Sequence, residues 1–103
     1  MTLEKLAALL ESTGLPVTYL DWPEGAAPPL PFICYLVAYS NNFVADGQVY
    51  LPVQRVHVEL YTSYKDLHAE YLVENALHDI PWQKSETYLD TEKCYQILYE
   101  IEV

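Results

Sequence analysis

The chain has 103 residues, enough for one domain with a single core and too few for two. Apolar residues make up 51% and charged residues 19%, which excludes a disordered chain. Fifteen acidic residues against five basic ones give a formal charge of −10. That excludes direct binding to nucleic acid or to an anionic membrane through phosphate neutralisation, which needs Lys and Arg.

The N-terminal MTLEKLAALLESTG has no basic region, apolar run and small-residue cleavage site in the order of a secretory signal. Nor does any stretch approach the ~18 apolar residues of a membrane span. Cys34 and Cys94 are therefore expected as reduced, buried thiols in a cytosolic setting.

Residues 2–12 are predicted as a helix. Leu3, Leu6, Ala7 and Leu10 fall on one face, Thr2 is placed to cap, and Gly14 and Pro16 stop it. Residues 17–22 (VTYLDW) read as a short strand. The following WPEGAAPPLP, residues 22–31, holds four prolines and one glycine, so it reads as a stiff extended loop. Residues 32–40 (FICYLVAYS) form a continuous apolar run, as in a strand covered on both faces or one with an aromatic contact face.

Asn41-Asn42 starts a turn, and Asp46-Gly47 flanked by Phe43-Val44-Ala45 and Val49-Tyr50-Leu51 is a strong hairpin signal. The expectation is a β-arm of roughly ten residues projecting between two larger strands. Residues 53–61 alternate: Val56, Val58 and Leu60 point one way, and Arg55, His57, Glu59 and Tyr61 the other.

A second helix is expected to open at Ser63-x-x-Asp66. Its apolar stripe is Ala69, Leu72, Val73, Ala76, Leu77 and Ile80, with Lys65, Asp66, Glu70, Glu74 and Asp79 on the opposite face. Pro81 ends it. Residues 82–90 and 93–103 complete a hairpin turning at Asp90-Thr91-Glu92, with Tyr95, Ile97, Tyr99, Ile101 and Val103 on one face of the last strand. The order α-β-β-(β-arm)-β-α-β-β predicts one α+β domain over residues 1–103. The expected form is two-layer, with a four- to five-stranded, mainly antiparallel sheet, two amphipathic helices on one face and a projecting hairpin arm.

No nucleotide-binding, nucleophile-elbow or zinc-protease motif is present. His68 and His78 are ten residues apart on one helix, not the three or four that ligand pairs need, and His57 alternates with apolar residues on a strand. The residues thus point to no catalytic, metal or cofactor-binding site. The ten tyrosines are more informative. Tyr95 and Tyr99 fit a core face. Tyr39, Phe43 and Tyr50, near the arm, fit a subunit interface, where an apolar ring with a polar tip is favoured.

Four stretches carry a resemblance to a known family: TLEKLAALLESTGLPVTYLDWPEGAAPPLPFICYL, SNNFVADGQVY, VHVELYTSYKDLHAEYLVENAL and WQKSETYLDTEKCYQILYEIEV. Together they cover nearly the whole chain, which resembles the tail-terminator proteins of long-tailed phages and Gram-positive prophages, often labelled tail-completion, minor capsid or minor tail proteins. The resemblance implies a β-sheet with helices packed on it. It implies a structural, non-enzymatic homo-oligomer, commonly a hexameric ring, in the virion neck and assembled in the host bacterial cytoplasm. Such a ring caps the head-proximal end of the tail tube, ends tube polymerisation and docks to the head connector. Its partners are then the tail tube protein and a neck protein, with DNA passing the lumen unbound and no membrane involved.

Ring or tube contacts carry over to Asn41–Tyr50, notably Asn41, Asn42, Phe43, Asp46 and Tyr50 with Tyr39 before them, and to the proline loop around Pro28 and Pro29. The acidic excess would then line a lumen that repels DNA. The head-closure (stopper) protein of the neck is the near alternative. An acidic DNA-mimic inhibitor is a rival from another class, as Glu100 and Glu102 alternate on a strand and Glu70 and Glu74 line a helix. An enzyme is a further rival, without a nucleophile–base signature.

Overall fold

A computed structural model describes residues 1–103, the side chain of Tyr50 excepted. The chain is α+β: two helices and a mixed five-stranded sheet, with a separate two-stranded hairpin. The first helix, α1 (Leu3–Glu11), starts as expected: the Thr2 hydroxyl accepts from the Lys5 N–H at 3.2 Å. It buries Leu6 and Leu10, and Gly14 follows it at φ +82°. Next come β1 (Val17–Tyr19), β2 (Phe32–Ser40), β3 (Phe43–Ala45), β4 (Gln48–Leu51) and β5 (Gln54–Thr62). The chain closes with α2 (Leu67–Ala76), β6 (Gln83–Leu89) and β7 (Cys94–Glu102).

The main sheet has the order β1-β2-β5-β7-β6. Its register explains the core. Ile33, Leu60 and Ile97 lie across from one another, then Tyr35, Val58 and Tyr99, then Val37, Val56 and Ile101. Period-two alternation turns all three rows to one face, where they form a single cluster with Leu6 and Leu10 of α1 and Ala69, Val73 and Leu77 in and just beyond α2. Each aliphatic side chain fully buried in it contributes about 1.5–3 kcal/mol.

Three pairings are antiparallel, but β1 lies parallel to β2, with Val17 opposite Ile33 and Tyr19 opposite Tyr35. Parallel neighbours need a crossover of a dozen or so residues, and the proline loop supplies it. The sheet is therefore mixed. β1 also ends at Tyr19, short of residue 22, because Leu20 turns out of the strand at φ +67°.

The second helix departs from expectation three times. It ends at Ala76 with Leu77 as its C-cap, so Ile80 lies beyond the helix and Pro81 does not end it. Its N-cap is Asp66, whose carboxylate accepts from the Ala69 N–H at 3.0 Å; Ser63 lies outside the helix. And Glu70, assigned by periodicity to the solvent face, is buried.

Candidate functional site

β3 and β4 pair with each other and with no strand of the main sheet. Asp46 and Gly47 make the turn between them at φ +54° and +74°, the left-handed conformation that an Asp-Gly hairpin turn uses. The hairpin is braced at its base. The Asn41 N–H donates to the Val53 carbonyl at 2.7 Å, and the Asn42 amide oxygen accepts from the Val53 N–H at 3.0 Å. Beyond this brace Phe43, Val44, Val49 and Leu51 are all exposed. Tyr50 belongs to β4, and its side chain lies outside the described residues.

Tyr39 stands where β2 changes phase. The register passes from Val37 opposite Val56 to Tyr39 opposite Arg55, leaving Ala38 as an extra residue. Without that bulge Tyr39 would follow Tyr35 and Val37 to the core face. With it, Tyr39 shares the side of Arg55 and is exposed. Arg55 in turn spans Glu102 at 3.0 Å and Glu100 at 3.3 Å.

Of the residues singled out in the sequence, Tyr39, Asn41, Asn42, Phe43 and Asp46 run together from the end of β2 into the hairpin. Pro28 and Pro29 do not join them. They belong to the loop that enters the opposite, N-terminal end of β2. There Trp22 stacks edge-on against Phe32 (centroids 5.7 Å apart), which meets Tyr61 at 5.4 Å. Leu30, Phe32, Cys34, Tyr61, Leu89 and Cys94 line an open pocket of about 380 Å³ beside Asp21 and Glu92. Burial, with the charges of Glu59 and Asp21, pushes the Cys34 thiol up to about 11, so it stays protonated at neutral pH. Both cysteines are free.

A third arrangement escaped the sequence reading. Lys65 and Lys84 close on the buried carboxylate of Glu70 at 2.6 and 3.0 Å. Lys84 also pairs with Glu74 at 2.7 Å, and Lys65 with Glu86 at 2.6 Å. The Tyr99 hydroxyl donates to Glu74 at 2.8 Å. The Lys65 contact is close but poorly aligned, and Glu70 Oε2 makes no hydrogen bond of ordinary geometry. Burial raises the Glu70 pKa, but the two ammonium groups outweigh it and hold the carboxyl below its ordinary range. The network ties α2 to edge strand β6. Its one sequence signal was Tyr99: a buried tyrosine hydroxyl requires a partner.

Among the described residues, no group of three or more His, Cys, Asp or Glu is placed to hold a metal ion, and no helix is long and apolar enough to cross a membrane. The His78 ring lies at the surface near the Asn75 carbonyl and Asp79. The arrangement offers contact surfaces: an apolar hairpin, an aromatic row under the proline loop, and exposed Tyr64, Leu67 and Tyr71 around the start of α2. No family model matches the chain, and no curated protein matches it either.

Proposed function

We infer that the chain is a structural subunit of a phage neck: a tail terminator whose ring caps the head-proximal end of the tail tube, ends its polymerisation and docks to the head connector. The observation that carries this reading is the apolar hairpin. Val44, Val49 and Leu51 are 58%, 55% and 55% exposed on two strands that the main sheet does not cover. Two-stranded hairpins are marginal alone in water, and exposed apolar surface of this kind marks a contact site. In this reading the hairpin is a projecting arm, both helices form a second layer on one face of the sheet, and Tyr39, Asn41, Asn42, Phe43, Asp46 and Tyr50 lie along the ring or tube contact. The proline loop at Pro28 and Pro29 makes a second, separate contact. The charge of −10 keeps the lumen from holding DNA as it passes.

The testing experiment is co-assembly with purified tail tubes, followed by negative-stain imaging and native mass measurement. A ring with a central hole at one tube end, and tubes of limited length, are expected. Tubes that grow and end as they do without the protein would overturn the reading.

A further inference from the structure

We infer that the open pocket beside the proline loop is a binding site for an organic cation on a short apolar stem, an alkylguanidinium or alkylammonium group. The site stands apart from the hairpin and does not depend on the chain capping a tube. Ile33 and Leu60 pack with both helices. Phe32, Cys34 and Tyr61 alternate with them along β2 and β5, so they lie on the other face of the sheet. There the proline loop, with Asp21 and Leu30, walls one side, and the β6–β7 turn, with Leu89 and Glu92, walls the other; the space between is about 380 Å³.

The floor is uncharged and held in place. The Tyr61 hydroxyl donates to Glu59 at 3.0 Å and accepts from the Gln96 amide at 2.9 Å, and Trp22 props Phe32 edge-on. Burial raises the pKa of both thiols, so Cys34 and Cys94 are neutral at pH 7. The charge of the walls selects the head group. Residues 21–31 and 89–94 hold four carboxylates, Asp21, Glu24, Asp90 and Glu92, and one cation, Lys93. Asp21 and Glu92 line the pocket and form no ion pair among the described residues; each accepts from a neutral donor next to it, the Trp22 N–H and the Thr91 hydroxyl. Lys93 does not offset them. It does not line the pocket, and the charges acting on the two thiols are all negative, Glu59 and Asp21 on Cys34 and Glu92 on Cys94. An anion is thus repelled, and a neutral ligand would cover two carboxylates without replacing their water. A stemmed cation meets both demands. Its chain covers Leu30, Phe32 and Leu89, while its head group reaches the carboxylates and the aromatic rings. A small free amine and an Arg or Lys side chain of another protein share this chemistry.

The test titrates the full chain with n-butylguanidinium and follows the methyl signals of Leu30 and Leu89 by NMR. Shifts at both, saturating with a Kd on the order of 1 mM at low salt, are expected. n-Butanol and butyrate keep the stem without the positive charge, and methylguanidinium keeps the charge without the stem; each should bind at least about tenfold more weakly. The D21N/E92Q variant keeps both acceptor oxygens and should also lose at least about tenfold. E4Q/E11Q removes the same number of charges from α1 and should bind as wild type does. Thermal melts check that each variant is folded, and single Glu92→Gln, with a loss of at least about threefold, replaces the double if it is not. A glycine-flanked arginine peptide separates the two sources. Its binding at the same methyls assigns the pocket to a protein side chain; its exclusion while butylguanidinium binds assigns it to a free small molecule. No shift at Leu30 and Leu89, equal binding of butanol, a D21N/E92Q chain that binds like wild type, or an equal loss in E4Q/E11Q overturns the site.

Discussion

Replacing Glu70 with Gln isolates the ionic tie between α2 and β6. The Glu70 side chain is 3% exposed, whereas Lys65 and Lys84 remain 46% and 39% exposed, so after the substitution both lysines turn to water rather than staying buried and unpaired. A charge-assisted hydrogen bond is worth about 1.5–3 kcal/mol and an exposed ion pair about 0–1. Gln keeps the shape and still accepts from Lys84, so the expected loss is about 1.5 kcal/mol. For a domain of this length that lowers Tm by about 7 °C at neutral pH. The pH dependence supplies a second readout. The folded carboxyl titrates below its ordinary value of 4.5, so its contribution is present above that value and is lost as pH falls through the folded one. The raised pKa values of Lys65 and Lys84 keep their side of the tie intact below about 10.5. Wild type and E70Q should therefore differ most between these limits, and the gap should narrow as pH falls below 4.5. Thermal unfolding followed by circular dichroism measures both. Melting within 2 °C of wild type at pH 7, or a gap that does not narrow as pH falls below 4.5, would refute the reasoning.

Two further outcomes follow from the local geometry. Asp66→Ala removes the acceptor for the Ala69 N–H and should cost about 1 kcal/mol in urea unfolding, while Ser63→Ala should cost little. Cys34 is protonated and buried in the folded chain, with its pKa raised from 9.0 to about 11, so the stability it contributes is complete below pH 9 and falls as pH rises toward 11. Alkylation of Cys34 at pH 7.5 should then follow unfolding, and labelling as fast as that of a free thiol would contradict its burial.

Much of the fold could be read from periodicity, and what could not has a common cause. β2, β5, β7 and α1 announced themselves because their patterns are local and strong: Val56, Val58 and Leu60 alternate, and Leu3, Leu6 and Leu10 recur at helical spacing. The Asp46-Gly47 turn was equally legible, since its chemistry acts within two residues. The parallel pairing of β1 was hidden because it depends on where the proline loop returns the chain. Glu70 was misplaced because a helical wheel sees only its own helix, and its partners arrive from residues 65 and 84. Leu67 and Tyr71 fall outside the apolar stripe that periodicity picks out, and both are exposed.

The bulge at Ala38 has a consequence for how this chain can change its length. A strand with one buried face tolerates no single-residue insertion or deletion, because each slip exchanges inside for outside. β2 is in one phase from Ile33 to Val37 and in the other from Tyr39 to Ser40, and Ala38 is the spare residue between them. Deleting it leaves Val37 opposite Val56 and Tyr39 opposite Arg55, so the core rows and the root of the hairpin both keep their places. Deleting Leu36 instead would carry Val37 to the wrong side. Ala38 thus marks the point along β2 where the chain can lose one residue and keep both its core rows and its β3–β4 hairpin in place.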